Sequence, residues 1–468
     1  MTEIPAQLEH ALREHGQEQV LLWWSKLDEH QRAFLLSQLS TIDLPHVSQL
    51  FQERGKGWEL PSSDRIEPIP VTCLRPDDAE VRELGEKAVS EGQVAALVVA
   101  GGQGTRLGFD PPKGMYPIGP VSGLSLFQIH AEKLLAVQRR YGARVPLLVM
   151  TSEATDAATR EFFQQHNFFG LPTEDVHFFC QGTMPAVDLQ TGRLLMESPG
   201  RLATSPNGHG GVLLALHDSG LLEMLSEMGV RDVFYFQVDN PLVKIADPLY
   251  LGFHRKHNAQ VSSKVIAKKG PTDRLGNLVL IDGKCSIIEY SDLPDEMANA
   301  RVEDGGLRFS HGNPAIHIFS VEFLRQVAAS EARIPFHLAR KKVPHVTIDG
   351  EQINPQEPNA IKFEMFVFDL LPLAERWTAV ETTYEEEFEP LKNAEGKNSP
   401  ESVKKAMSDL AMRWLREAGA DVSELEEQGG YVEISPLFAL DQSELERKIE
   451  RGWKVTQSVY LDNVGKRT

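Results

Sequence analysis

The sequence predicts an α/β fold built on a mixed, largely parallel sheet, with a helical segment before it and a small mixed module after it. Three observations carry that expectation. Residues 94–100 form a continuous apolar run, the pattern of a strand buried on both faces, and the run ends in a glycine-rich loop. From there to Val238, apolar runs alternate with amphipathic stretches of helix length, as in sheets with helices on both faces. Beyond Ala259 the runs shorten and are punctuated by Asp-Gly turns, as in antiparallel hairpins.

Residues 1–57 read as peripheral helices. Leu8 and Leu12 share a face, as do Leu21, Trp24 and Leu27, and a second segment carries Phe34, Leu35 and Leu39. Asp43-Leu44-Pro45 has the form of a cap followed by an early proline. Trp23 and Trp24 are expected to pack rather than to bind. Prolines between Pro61 and Pro76 mark an extended connector. Asp77 is expected to cap a helix to Ser90, with Val81, Leu84 and Ala88 inward and Gly92 as its stop. After the glycine loop come a helix at 124–141 ended by Gly142, a strand at 145–150 and a helix at 155–166. A strand at 176–180, a helix at 211–228 and a strand at 232–238 follow. Residues 361–373 are expected to be helical, as is a long segment from Pro400. The stretches YVEISPLFAL and VYLDN belong to the C-terminal module. The expected divisions are 1–76 for the helical segment and connector, 77–390 for the catalytic domain and 391–468 for the module.

At 468 residues the chain is too long for one ordinary core. Its 41% hydrophobic and 25% charged content is that of a soluble globular protein. No run approaches the roughly 18 apolar residues of a membrane span, and the N-terminus lacks a basic start and apolar core, so neither membrane nor secretory signal is expected. Cys73, Cys180 and Cys285 are widely spaced, which suggests reduced thiols and a cytoplasmic location rather than a disulfide frame or zinc site. A net charge of −19 repels a nucleic-acid backbone, so no polymeric nucleic-acid partner is expected. A triphosphate would also need a local basic cluster.

The glycine loop supplies one. Gly101, Gly102, Gly104 and Gly108 enclose Thr105 and Arg106, and Lys113 follows. Such a loop at the carboxyl end of a buried strand lets backbone N–H groups approach an anion. The dinucleotide pattern fails because Leu107 stands where its third glycine belongs, which weighs against a nicotinamide-dependent dehydrogenase. The mononucleotide pattern finds no match either. What remains, Gly-Gly-x-Gly-Thr-Arg-Leu-Gly followed by Pro-Lys-Gly, resembles the sugar-1-phosphate uridylyltransferases, and among them the eukaryotic-type UDP-N-acetylhexosamine pyrophosphorylases. The resemblance runs from near Ile66 to beyond Asn393 in ordered blocks: FFCQGTMPA, SPNGHGG, FQVDNPL, EYSD, HGNPAIH, KFEMFVFD and PLKNAEGKNSP.

That resemblance implies a nucleotide-diphospho-sugar transferase Rossmann-like domain. It also implies attack by a sugar-1-phosphate oxygen on the α-phosphorus of UTP with release of pyrophosphate, so UTP and a sugar-1-phosphate are the expected partners. By resemblance Arg106 and Lys113 lie along the triphosphate as catalytic charges, and Lys392 joins them from the C-terminal side. Arginine offers a planar fork of donors and lysine a compact charge. Gly101, Gly102, Gly104 and Thr105 form the UTP cradle, and Gln181 and Gly208 read the uracil. Asp239, at the end of an apolar strand, is implied to hold Mg²⁺, an ion that prefers oxygen ligands, with Asn240 a weaker second candidate. Taken alone, Asp239 is also explained as a turn residue before Asn240-Pro241.

The sugar is assigned to Gly276, Glu289, Asn313, Phe366, Phe368 and His209. On a helix Phe366 and Phe368 point different ways, so one at most should face the sugar. The acid run from Glu385 to Glu389 reads as a solvated face. One departure stands out. Members of the N-acetylhexosamine branch carry Asn in a Gly-Asn-Gly setting, whereas Gly208-His209-Gly210 resembles the UDP-glucose and broad UDP-sugar enzymes. The expected reaction is therefore uridylyl transfer to N-acetylglucosamine-1-phosphate, with glucose-1-phosphate or broader sugar use as the alternative. A non-catalytic nucleotide-sugar sensor on the same fold is the reading outside enzymology.

Overall fold

The computed structural model describes residues 3–55, 60–330 and 334–465. The chain forms two compact units. One comprises Met1–Leu60, Gln181–Leu214 and Arg333–Asp369, the other Pro61–Cys180, Ala215–Ala332 and Leu370–Thr468.

The larger unit is built on an 11-stranded mixed sheet. Val94–Val99 is an interior strand, parallel to Asp232–Gln237 on one side and to Leu147–Thr151 on the other, with Val176–Cys180 parallel beyond at the sheet edge. Across Asp232–Gln237 the direction reverses. His317–Ser320 pairs with it antiparallel, and Val261–Ala267 pairs antiparallel with that. Trp377–Thr382 then runs parallel to Val261–Ala267. The hairpin of Asn277–Ile281 and Lys284–Ile288 turns at Asp282-Gly283, as expected, and Ile66–Pro68 pairs with its first strand. Among the parallel strands the first in sequence sits between the second and the fourth. The crevice outside the carboxyl ends of Val94–Val99 and Asp232–Gln237 is therefore a topological switch point, the place where open α/β sheets bind ligands.

The helices follow the sequence with several corrections. Ser125 caps Leu126–Tyr141 and Gly142 ends it, but the Ala79–Ser90 helix is capped by Asp78 rather than Asp77. Its buried face carries Val81, Gly85, Ala88 and Val89, while Leu84 is exposed. The reason is a crossing with Pro248–Lys256. A Cβ on Gly85 would lie 1.7 Å from the Pro248 carbonyl oxygen, and one on Gly252 1.7 Å from that of Val81. Two backbones in contact fix the helix rotation, and the leucine is turned out. The stretch 211–228 is two helices, Val212–Asp218 and Leu221–Glu227, separated at Gly220 in the left-handed conformation.

Residues 361–373 are not one helix. They form a strand, Ala360–Glu364, and a 3₁₀ segment, Val367–Leu373. In the strand Ile361 and Phe363 are buried while Lys362 and Glu364 are less so, the period of two that a strand requires. It pairs with His337–Lys341 and Val187–Asp188 in the smaller unit. That unit's core joins Leu12, Leu35 and Leu39 of the N-terminal helices to Val187, Leu202 and Phe363, with Trp23 and Trp24 packed at its margin. The Leu21–Leu27 stretch contributes 3₁₀ turns rather than an α-helix. Pro400–Glu417 begins the C-terminal part of the larger unit, where Leu415, Val432, Leu445 and Leu461 share a core of their own. Among the described residues, no helix is long and apolar enough to cross a membrane.

Candidate active site

The strand ends place two charged groups together at the switch point. Val99 and Gln237 are register partners, so the glycine loop and Asp239 leave the sheet side by side. Ser152, after the next strand, donates its hydroxyl to the Gly101 carbonyl at 2.8 Å and anchors the loop's start. The Lys113 N–H donates to the Gly102 carbonyl at 3.0 Å, folding the Lys113–Met115 turn back over the loop. The Lys113 Nζ then donates to Asp239 Oδ2 at 3.2 Å, the lysine side chain 20% and the carboxylate 9% exposed. Gly102, Gly104, Thr105 and Arg106 lie on the same loop, and Arg106 is exposed.

Lys392 reaches this strand end by a different route. Leu391 donates its N–H to the Asp239 carbonyl at 2.8 Å, which brings the next residue, Lys392, to the same place. Lys392 itself is exposed. The acid run preceding it is not a solvated face. Glu387 is fully buried and takes both its oxygens to within 2.6 Å of Lys264 Nζ, which also donates to Asp247 Oδ2 at 3.0 Å. Glu386 pairs with Lys244 and Arg413, and Glu389 accepts from Ser402 Oγ. Lys264 sits inside a buried strand, and a charge there needs partners. Burial opposes its charge, but the Glu387 and Asp247 carboxylates hold its pKa above the ordinary lysine value.

The remaining candidates fall into three groups. In the larger unit Gly276, Glu289 and Asn313 meet: the Asn313 N–H donates to the Gly276 carbonyl at 2.9 Å, and a Cβ on Gly276 would lie 3.0 Å from Glu289 Oε1. The Asn313 side-chain oxygen accepts from the Ala315 N–H. In the smaller unit Gln181 is 9% exposed and Gly208 abuts Met365, whose carbonyl oxygen a Cβ would approach to 2.4 Å. With φ at +85° as well, the position suits only glycine.

His209 follows, and the Val367 N–H donates to its Nδ1 at 3.2 Å, so in the neutral ring the proton is on Nε2. Phe366 and Phe368 do not diverge. Leaving a strand rather than riding a helix, they stack at 4.9 Å with His209 5.4 Å from the first ring. His337, which the sequence reading passed over, lies 4.5 Å from Phe366 and bonds to Asp369 at 2.9 Å.

The family described as UTP–glucose-1-phosphate uridylyltransferase matches residues 46–459. The chain belongs to that family. It is 38% identical to the UDP-N-acetylhexosamine pyrophosphorylase-like protein 1 of Xenopus tropicalis, over 87% of this chain and 84% of that protein. It is 37% identical to the UDP-N-acetylglucosamine pyrophosphorylase of Saccharomyces cerevisiae, over 90% of this chain and 92% of that one. The crystal structure of the Trypanosoma brucei uridine diphosphate N-acetylglucosamine pyrophosphorylase is similar with a TM-score of 0.81 and 30% identity, covering 96% of each chain.

In this uridylyltransferase two further side chains bear on the Asp239 loop, both from Leu126–Tyr141. His130 Nε2 bonds to the Val238 carbonyl at 2.9 Å, and Lys133 Nζ donates to the carbonyls of Pro241 and, at 2.9 Å, Val243. Three residues apart, they share one helix face. Burial pushes the His130 pKa down to about 3 and that of Lys133 down to about 7. The signal in the sequence was a histidine and a lysine on the otherwise apolar side of a buried helix.

Proposed function

We propose that this chain transfers uridylyl from UTP to N-acetylglucosamine-1-phosphate, releasing pyrophosphate. The observation that carries the reading is the meeting of Lys113, Asp239 and the Lys392 segment where the strand order reverses, beside the glycine loop. The names of the relatives at 36–38% identity support the N-acetylglucosamine sugar. A sugar-phosphate oxygen forms a bond to the α-phosphorus as the bond to the β-phosphate's bridging oxygen breaks, and that oxygen leaves on pyrophosphate. Both reactants are anions, so the protein's work is alignment and charge neutralisation. Loop N–H groups, Arg106, Lys113 and Lys392 receive the phosphates. Gln181 and the backbone at Gly208 read the uracil, and Glu289, Asn313 and the Phe366–Phe368 pair take the sugar.

The donor set fits Mg²⁺. Asp239 is a nearly buried carboxylate on which a lysine ammonium already occupies a cation's place, and Mg²⁺ commonly binds one or two carboxylates plus substrate phosphates. Among the described residues no group of three or more His, Cys, Asp or Glu forms a self-sufficient cage. Bound through Asp239, the ion would neutralise charge on the α-phosphate. The unpaired cysteines fit a reducing, cytoplasmic setting.

His209 favours a second reading of the sugar: glucose-1-phosphate is accepted as well. Pure protein mixed with UTP, Mg²⁺ and a panel of sugar-1-phosphates should release pyrophosphate with both, N-acetylglucosamine-1-phosphate modestly preferred. UTP binding without pyrophosphate release from any of them would make the chain a sensor instead.

A further inference from the structure

Asn240 follows Asp239 and is 3% exposed. Its amide is used at both ends. Nδ2 donates to the Glu387 carbonyl at 2.7 Å, and Oδ1 accepts from the Glu389 N–H at 3.3 Å. With the Leu391 N–H on the Asp239 carbonyl, three bonds stitch residues 387–391 along the two residues that leave the strand. Beyond the stitched stretch, the N–H groups of Lys392 and Asn393 both donate to the Asn398 carbonyl, turning the chain back on itself just after the seam. We propose that Asn240 is a positioning residue: it locks the 387–391 strap to the strand end and thereby holds Lys392 in register with Asp239.

The amide offers both the donor and the acceptor that the two facing backbone groups require; a carboxylate would set a negative oxygen against the Glu387 carbonyl. The fully buried Glu387 side chain, gripped by Lys264, fixes the far end of the strap but leaves its approach to the strand end to Asn240. The lysine and the carboxylate come from distant parts of the sequence, and the Asn240 side chain sets their spacing together with the Leu391–Asp239 backbone bond. A misplacement of about an ångström at such a site costs about 10²-fold in rate.

The proposal rests on the reading of Lys392 as a phosphate contact, and the test separates the two. In the full-length protein, kcat, KM for UTP and the Mg²⁺ concentration for half-activity are measured for Asn240→Ala, Lys392→Ala and the double variant. Lys392→Ala is expected to lower kcat/KM by about 10² and Asn240→Ala by about tenfold. The double variant should be no worse than Lys392→Ala alone, with the Mg²⁺ requirement unchanged in Asn240→Ala. Losses that multiply would overturn the proposal, because Asn240 would then act independently of Lys392. A raised Mg²⁺ requirement would also overturn it, making Asn240 a metal ligand. A neutral Lys392→Ala would remove the underlying reading instead, and the proposal with it. Should the alanine variant fail to fold, Asn240→Ser takes its place in the same cycle. Hydrogen exchange across 387–393, expected to quicken in the variant while the sheet stays protected, reads the strap directly.

Discussion

Asp239 and Lys113 show how far a single pair can carry a mechanism. The carboxylate is almost buried and holds a cation at 3.2 Å, so removing its charge should tell on whatever cation it serves. Asp239→Asn keeps the shape and is expected to raise the Mg²⁺ concentration needed for activity far more than the KM for sugar phosphate. A metal titration that overlays the native one would leave Asp239 as a turn residue. Lys113→Ala should lower turnover by about 10² in protein that still folds. Near-native turnover at saturating substrate would take Lys113 out of the mechanism. His209 raises the question of choice rather than rate. Its Nδ1 accepts from the Val367 N–H, so the neutral ring carries a single donor, whereas an asparagine carries two donors and an acceptor on a shorter arm. His209→Asn is expected to shift the ratio of kcat/KM toward the N-acetyl sugar about tenfold, or ~1.4 kcal/mol. An unchanged ratio with both activities intact would pass selection to Gly276, Glu289 and Asn313.

Elements were legible where their pattern was local. The strand at 176–180 and the hairpin turning at Asp282-Gly283 follow from apolar runs and turn residues alone. The 361–373 stretch was not, because its dense apolar residues hide a switch from period two to a 3₁₀ segment after Glu364. That misreading is also why Phe366 and Phe368 were expected to diverge. The helix at 79–90 was found, but not its rotation, since Leu84 outranks Gly85 in any hydrophobic pattern while a glycine contact with Gly252 decides the packing. That contact yields a test. Gly252→Ala puts a methyl against a backbone oxygen that no rotamer change can move, so the helices must separate. Overpacking of this kind costs about 1–3 kcal/mol and sometimes more, and the larger value is expected here. Urea denaturation would show it as a lower midpoint, with KM values unchanged in the protein that remains folded. A native midpoint would mean that the crossing is looser than the backbone distances imply.

Across the whole molecule, what the sequence concealed is what connects distant segments. The ordered blocks named the family, and the strand-end rule placed Asp239 beside the glycine loop. Nothing local revealed that the acid run neutralises Lys264 or that its continuation delivers Lys392, although a lysine in the middle of VSSKVIA marked a buried charge in need of a partner. The same holds for His130 and Lys133, whose bonds run to carbonyls more than 100 residues away. These two groups also shape the pH dependence of stability. His130 titrates near pH 3 when folded and near its ordinary 6.5 when unfolded. As pH falls below 6.5 the unfolded chain takes up the proton first, so stability is lost progressively down to about 3 and is fully present above 6.5. Lys133, pushed down to about 7 from 10.5, acts with the same sign higher up, and stability rises between those values as the unfolded chain loses its extra proton. Both residues lie in the larger unit, and two compact units need not unfold together, so each transition must be read separately. His130→Gln keeps a donor for the Val238 carbonyl and does not titrate. The stability difference between native protein and variant, followed on the larger unit's transition, should therefore shrink below about pH 6.5 by up to ~1.4 kcal/mol per pH unit and stay flat just above it. A difference that does not change with pH would mean that His130 is as easily protonated in the folded protein as in the unfolded chain, and that its ring is not held dry against the strand end.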